Sequence, residues 1–382
     1  MSRSHKRMPV WAMIIMDTVL MAASVGVFML FDYVMPHSGN SSGTVVAQVE
    51  SNAENTFKLP SAQKGGEDNS ASENTVGNSS ESSVVQNESA AESSQPAVTT
   101  APKQEDKPKR TTKNRYDNTG TDDYAADTNA ISSITNAEVY SEELGHNVTD
   151  VSELTVYKKS VGEGNDKITY YVADIYVTNA GVIQTAFAEN TYGKNIKSSV
   201  NEMAEEHNAI WAINGDFYGN SEEGIVIRNG VKYRDNLNDA DICVLFTDGS
   251  MKTYAYDEFN TDEVISQGAW QAWNFGPMLL DGSGNVLPSF NTTTYLNSQN
   301  PRSAVGYVEP GHYIFVTVDG RMEGYSKGAT ISELAAIMAD EGCLTAYNLD
   351  GGKSAMMYYN GEIINKPDGN GRDISDIVYI GG

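Results

Sequence analysis

Short apolar runs separated by turn residues fill the C-terminal part of the chain. Residues 154–158 and 168–177 read as two strands joined through Gly162-Glu163-Gly164-Asn165-Asp166. Residues 196–207 place Ile196, Val200, Met203 and Ala204 on one helical face. A short strand over 209–213 follows, then a hairpin about Asn229-Gly230, a strong turn signal. Further turns fall at Asp248-Gly249, at Asp281-Gly282-Ser283-Gly284 and at Glu309-Pro310-Gly311. Thr330-Ile331-Ser332-Glu333 is a capping box, opening a helix that carries Leu334, Ile337 and Met338. Apolar runs over 344–349, 355–359 and 374–380 complete the pattern, with a hairpin at Asn360-Gly361. Many short strands with two convincing helices predict an α+β fold: a single domain over residues 138–382 with a mixed β-sheet core and a few helices.

A different pattern occupies the N-terminal third. Arg3, Lys6 and Arg7 precede an apolar run over residues 10–35, long enough to span a bilayer as a helix although Asp17 and Asp32 interrupt it. The run exceeds a signal-peptide core, and Asp32-Tyr33-Val34-Met35-Pro36 lacks the small residues of a cleavage site. An uncleaved transmembrane anchor is therefore expected. No Lys or Arg follows it until Lys58, which assigns residues 1–9 to a cytoplasmic tail and the remainder to the cell exterior. Residues 36–137 are rich in Ser, Asn and Glu, with Phe57 the only aromatic between His37 and Lys113. Such a stretch buries too little apolar surface to offset its ordering entropy and reads as a disordered linker. It ends in a basic run, Lys103, Lys107, Lys109, Arg110, Lys113 and Arg115, which is either a solvated stretch or a contact for anionic wall polymers or headgroups.

Charge and cysteine usage narrow the function. The net charge of -25 argues against a nucleic-acid partner. Cys243 and Cys343 both sit in apolar runs and read as buried thiols, with a pairing left open. His146, His207 and His312 show no metal-ligand spacing, and no Gly-x-Ser-x-Gly elbow or Walker loop occurs. No cofactor is expected, although clustered Asp and Asn oxygens leave Ca²⁺ or Mg²⁺ possible. Trp270 and Trp273 read either as core or as the lining of a glycan cleft.

Three strand ends present an acid beside glycine: Asn214-Gly215-Asp216, Asp319-Gly320-Arg321 and Asp350-Gly351-Gly352. A fourth segment supplies Arg302, and Lys353 follows the last glycine pair. This set fits either an anion-binding site with acid–base carboxylates or ordinary tight turns.

Five segments in order resemble the motifs of phosphodiester glycosidase domains. They are Ala212-Ile213-Asn214-Gly215-Asp216-Phe217-Tyr218, Phe275-Gly276-Pro277-Met278-Leu279, Pro301-Arg302-Ser303-Ala304-Val305-Gly306, Val318-Asp319-Gly320-Arg321 and Asn348-Leu349-Asp350-Gly351-Gly352. The resemblance covers residues 154–380. Two departures stand out: Asp216 where the family often has glycine, and Lys353 where it often keeps another glycine. The resemblance implies a cell-surface hydrolase that cleaves the glycosidic bond of a sugar 1-phosphodiester in a glycan. Asp350, Asp319 and Asp216 are then the candidate catalytic acids. Asn214, Arg302, Arg321, Gly351, Gly352, Lys353 and Ser354 are the candidate substrate-binding residues. The alternatives are a metal-dependent phosphodiesterase and a non-catalytic module that binds wall glycans.

Overall fold

The computed structural model describes residues 10–38, 43–49, 56–61 and 122–382. Three larger sheets build the domain. The first runs in the order Thr345–Leu349, Arg302–Glu309, His312–Val318, Ile168–Val177, Ser152–Val161 and Val139–Val148. The second runs Glu362–Ile363, Met357–Tyr359, Ala209–Asn214, Asp376–Gly381 and Gln184–Phe187. The third runs Met251–Tyr254, Ile242–Phe246, Ala269–Trp273, Gly224–Arg228, Val231–Asn236 and Thr44–Val45. All three contribute to one core, in which Trp211, Trp273, Phe315, Tyr347 and Leu349 are fully buried.

The helices cover sheet faces as their spacing requires. Ile331–Asp340 keeps its capping box and buries Leu334, Ile337 and Met338 against Ala304, Val316 and Ala346. Val200–Glu206 is capped likewise by Ser199 and Glu202, and packs Val200 and Met203 near Ala212 and Ile377. Asn229 and Gly230 both take positive φ (52° and 70°), the conformation a two-residue hairpin demands. Cys243 and Cys343 are buried free thiols.

Three expectations need correction. The sheet is not mixed: every strand pairing among the described residues is antiparallel. Several neighbours are joined by short hairpins, and a hairpin can only connect antiparallel strands. Ordered structure also begins before residue 138. Asp122–Ala125 pairs with Ser289–Thr292, and Thr128–Thr135 follows as a helix that sends Ile134 into the core.

The expected linker, finally, is docked in part. Thr44 and Val45 pair with Lys232 and Val231, extending the third sheet. The Phe57 amide donates to the Thr178 carbonyl (2.7 Å), and its ring lies against Gly249 and Gly311, where any side chain would collide with it. Leu59 is buried. The solitary Phe57 and Leu59 act as apolar pegs that overcome the polar composition around them. The basic run and most of residues 36–137 lie outside the described residues. Val10–Tyr33 is a 24-residue helix. The side chains of residues 10–15, 17, 28 and 31–33 lie outside the described set, and among the described residues no helix is long and apolar enough to cross a membrane.

Candidate active site

Three neighbouring strands of the first sheet bring their ends together. Ser303 pairs with Leu349 and Arg302 with Val318, so Arg302, Asp350 and Asp319 leave the sheet at the same edge. Asn214 ends a strand of the second sheet and ties the two sheets together. Its Nδ2 donates to the Asp350 carbonyl (2.7 Å), and its Oδ1 accepts from the Ser303 hydroxyl (2.6 Å). The glycines after Asp350 serve packing. A Cβ at Gly351 would stand 2.5 Å from the Pro301 carbonyl oxygen, and Gly352 takes a φ of 63°. Both of their amides are engaged, Gly352 with the Pro301 carbonyl (2.9 Å) and Gly351 with the Asp350 carboxylate.

A cavity of about 370 Å³ opens at this edge. Asp350, Gly351 and Gly352 form one wall, and Arg302, Arg321, Lys353 and Arg372 supply four cations. Phe217, Phe275, Tyr295 and Leu296 supply apolar surface. Asp350 is 8% exposed. Its Oδ2 accepts from Arg372 Nη2 (2.8 Å). Burial raises the Asp350 carboxyl above the usual carboxylate range; Arg372 is the largest opposing influence, followed by the Ser354 hydroxyl. Arg372 Nε also donates to Ser354 Oγ (2.6 Å), and its guanidinium lies 5.5 Å from the centre of the Phe217 ring. Ser354 is fully buried behind this pair and orients it.

Arg302 is 2% exposed and makes no ion pair among the described residues. Neutral carbonyls of Ala329, Leu296 and Ser298 hold its guanidinium. Burial, and then the nearby charge of Arg321, pull its pKa down to about 9, so it stays cationic at neutral pH. Arg321 takes a φ of 61° and donates to Asp368 (2.7 Å), Asn300 (2.7 Å) and Tyr295 (3.2 Å).

Arg228 is fully buried between two carboxylates, one of them the recess-lining Asp216. Its Nε donates to Asp376 Oδ2 (2.9 Å), and Nη2 stands 2.9 Å from Asp216 Oδ1, near in distance but off the hydrogen-bond direction. Asp216 also accepts from the amides of Tyr218 and Asn274 (3.0 Å each). Burial pushes Asp376 up to about 7 against the pull of Arg228, and Asp216 adds to the rise. Asp216, Asp350, Arg372 and Lys197 line a small recess of about 10 Å³ beside the main cavity, room for about one water.

Asp319 stands apart from both spaces. Asn365 Nδ2 (2.9 Å), the Lys366 amide (3.1 Å) and the Tyr325 hydroxyl (2.9 Å) saturate its carboxylate, which burial holds above the usual range. The structure therefore brings Asp350, Arg302, Arg321, Gly351, Gly352 and Lys353 to the cavity and Asp216 and Ser354 to the recess, and it leaves Asn214 and Asp319 outside both linings. Trp273 is core, and Trp270 donates to the Ile183 carbonyl (2.9 Å) away from the cavity. Arg228, Arg372 and Asp376 are additions that the motifs did not single out. A charge within Ile225-Val226-Ile227-Arg228, or between Ile374 and Ile377, signals a buried ion pair. Arg372 lies in a polar loop that carries no such signal. Among the described residues no cluster of His, Cys, Asp and Glu is arranged to hold a metal ion.

This sheet edge sets one carboxylate against several cations. Residues 207–381 match the family model of phosphodiester glycosidases. A prophage-derived uncharacterized protein, YomE of Bacillus subtilis (strain 168), is 31% identical over 260 residues, 63% of this chain and 40% of that protein. The N-acetylglucosamine-1-phosphodiester alpha-N-acetylglucosaminidase of Bos taurus is 33% identical over 85 residues, 22% of this chain and 15% of that protein. The chain thus spans less than half the length of either relative. The zebrafish enzyme of that name, solved as a catalytic domain auto-inhibited by its pro-peptide, superposes with a TM-score of 0.50 at 17% identity. The superposition covers 69% of this chain and 96% of the zebrafish domain, a likeness of fold.

Proposed function

We propose that the domain hydrolyses the glycosidic bond of sugar 1-phosphodiesters in a surface glycan. The observation that carries this reading is Arg302, a buried cation with no carboxylate partner among the described residues, on the wall that presents Asp350. A phosphate diester entering the cavity would supply the missing anion, with Arg321 and Lys353 at its periphery. Asp350 then faces the sugar, where an oxocarbenium-like carbon develops, and acts as nucleophile or base. The recess between Asp216 and Asp350 suits the attacking water. The phosphate leaves as a monoester, a good leaving group that needs little protonation. The match of residues 207–381 to the phosphodiester glycosidase model supports this chemistry, and the Bos taurus relative's name gives N-acetylglucosamine as the first sugar to assay.

The anchored, extracellular placement belongs to the same proposal. The described apolar side chains of Val10–Tyr33 are exposed, with Val19 at 61%, Met21 at 70% and Val27 at 64%. A bilayer would cover them, and Arg3, Lys6 and Arg7 orient the helix with its N-terminus inside. Hydrolysis of a sugar 1-phosphodiester in ¹⁸O-labelled water is the test. Label in the sugar supports glycosidic cleavage. Label in the phosphate means phosphorus–oxygen cleavage and overturns the proposal in favour of a phosphodiesterase.

A further inference from the structure

We infer that the cavity lies at the membrane surface and takes sugar 1-phosphodiesters borne on membrane-anchored molecules. The inference rests on the anchor and on the phosphodiester reading proposed above. It begins at the end of the helix Val10–Tyr33. Residues 34–36 follow, and His37 and Ser38 are already paired with Lys194 and Gly193 of the domain. Asn195 Nδ2 donates to the Met35 carbonyl (3.2 Å). Three residues span at most about 11 Å, so the helix and the domain are joined without a long spacer.

The described segments that follow, residues 43–49 and 56–61, also dock on the domain. Thr44 and Val45 extend the third sheet, the amides of Val46 and Ala47 donate to the Gly230 carbonyl (2.7 and 3.1 Å), and Phe57 and Leu59 dock further along. The Ser61 amide donates to Glu153 (2.8 Å). The polar stretch that follows runs from this docked segment to Asp122–Ala125, which is paired in the domain again. Because the chain is fixed to the domain on both sides of residues 62–121, the length of that stretch does not set the distance from membrane to domain.

The same junction borders the catalytic edge. The Asn195 amide donates to the Gly219 carbonyl (2.8 Å), and two residues later Lys197 Nζ donates to Asn220 (2.8 Å). Lys197 lines the recess shared by Asp216, Asp350 and Arg372. One short turn, Tyr218–Asn220, therefore links the membrane-proximal strand pair to the catalytic edge. Such a placement gains nothing for a freely diffusing substrate. For a substrate held in the same bilayer it raises the effective concentration and presents the phosphate at the cationic wall. In the reaction, water oxygen bonds to the anomeric carbon and the carbon–oxygen bond to phosphate breaks with its electron pair on phosphate. The base takes the water proton, the sugar departs, and the phosphate monoester stays on the anchored molecule.

The experiment uses the full chain in lipid vesicles with two substrates: a sugar 1-phosphodiester of a long-chain lipid in the same bilayer, and a soluble short-chain analogue. A flexible insert of about 20 Gly and Ser residues between Tyr33 and Val34 adds roughly 25 Å of reach and frees the domain from the surface. The insertion is expected to lower kcat/KM on the embedded diester at least about tenfold and to leave the soluble diester unchanged, which also reports an intact fold. Equal rates on the embedded diester with and without the insert overturn the inference, as does wild-type cleavage of the soluble diester alone. If the wild type cleaves neither, the phosphodiester reading falls and takes the inference with it.

Discussion

Replacing Arg372 by glutamine tests whether Asp350 acts in its ionised form. The charge of Arg372 is the largest influence that holds the buried Asp350 carboxyl down, and its 2.8 Å hydrogen bond adds a smaller one. Glutamine keeps a donor for Ser354 or Asp350 and removes the charge. Two unit charges about 4 Å apart interact by about 4 kcal/mol at an effective dielectric of about 20. The Arg372 side chain is 43% exposed, so solvent screening cuts this to about 1 kcal/mol. That corresponds to just under one pH unit. Arg372→Gln should therefore move the acid limb of kcat up by about one pH unit. KM for the phosphodiester should rise as well, because Arg372 also lines the cavity. The measurement is kcat against pH from about pH 4 to 8, since kcat reports the groups of the bound complex. An acid limb that stays in place, or moves down, refutes the assignment of that limb to Asp350.

Two further outcomes follow from the same geometry. Asp350→Asn keeps size and removes basicity, so turnover should fall about a hundredfold or more while the melting temperature stays level or rises, because a disfavoured buried charge is gone; near-normal turnover would return Asp350 to the role of a turn residue. Burial raises Asp376 to about 7 and Asp241 to about 6, above the usual 3.8. The folded chain thus binds protons more tightly than the unfolded one, and the associated stability, present at low pH, is lost as pH rises from about 4 to 7. The urea midpoint should fall between pH 5 and pH 8, with a shallower fall in Asp376→Asn; an unchanged slope in that variant would show that Asp376 contributes none of it.

Local signals carried far in this chain because its elements are set by nearest neighbours. The capping box at Thr330 and Glu333 and the hairpins at Asn229-Gly230 and Asn360-Gly361 were legible, since each is decided by a few adjacent residues. Strand direction was not, because apolar runs look alike whichever way their partner runs. The docking of Phe57 was hidden for a related reason. Its receptor is two glycines far along the sequence, Gly249 and Gly311, and a bare backbone surface leaves no mark in the composition of the segment that covers it. At the site, Asp350 and the cations Arg302, Arg321 and Lys353 were legible from their place at strand ends. Arg372 was not, since a loop arginine carries no periodicity.

Asp319 and Asp350 show why motif context alone could not rank the acids. Each follows an apolar strand, precedes glycine and is buried, with burial pushing its carboxyl upward. Their partners differ. Asp319 is surrounded by Asn365, Lys366 and Tyr325, whose donors fill its lone pairs and fix residues 365–366 to the strand end. A carboxylate so saturated has no free face for a sugar or a water. Asp350 is held by Arg372, a half-exposed cation, and its remaining surface faces the cavity. The strand end delivers a carboxylate to the edge of the sheet in both cases. Whether it stays accessible depends on the donors that later segments bring to it, and here residues 365–366 close one acid while Arg372 leaves the other open to the cavity.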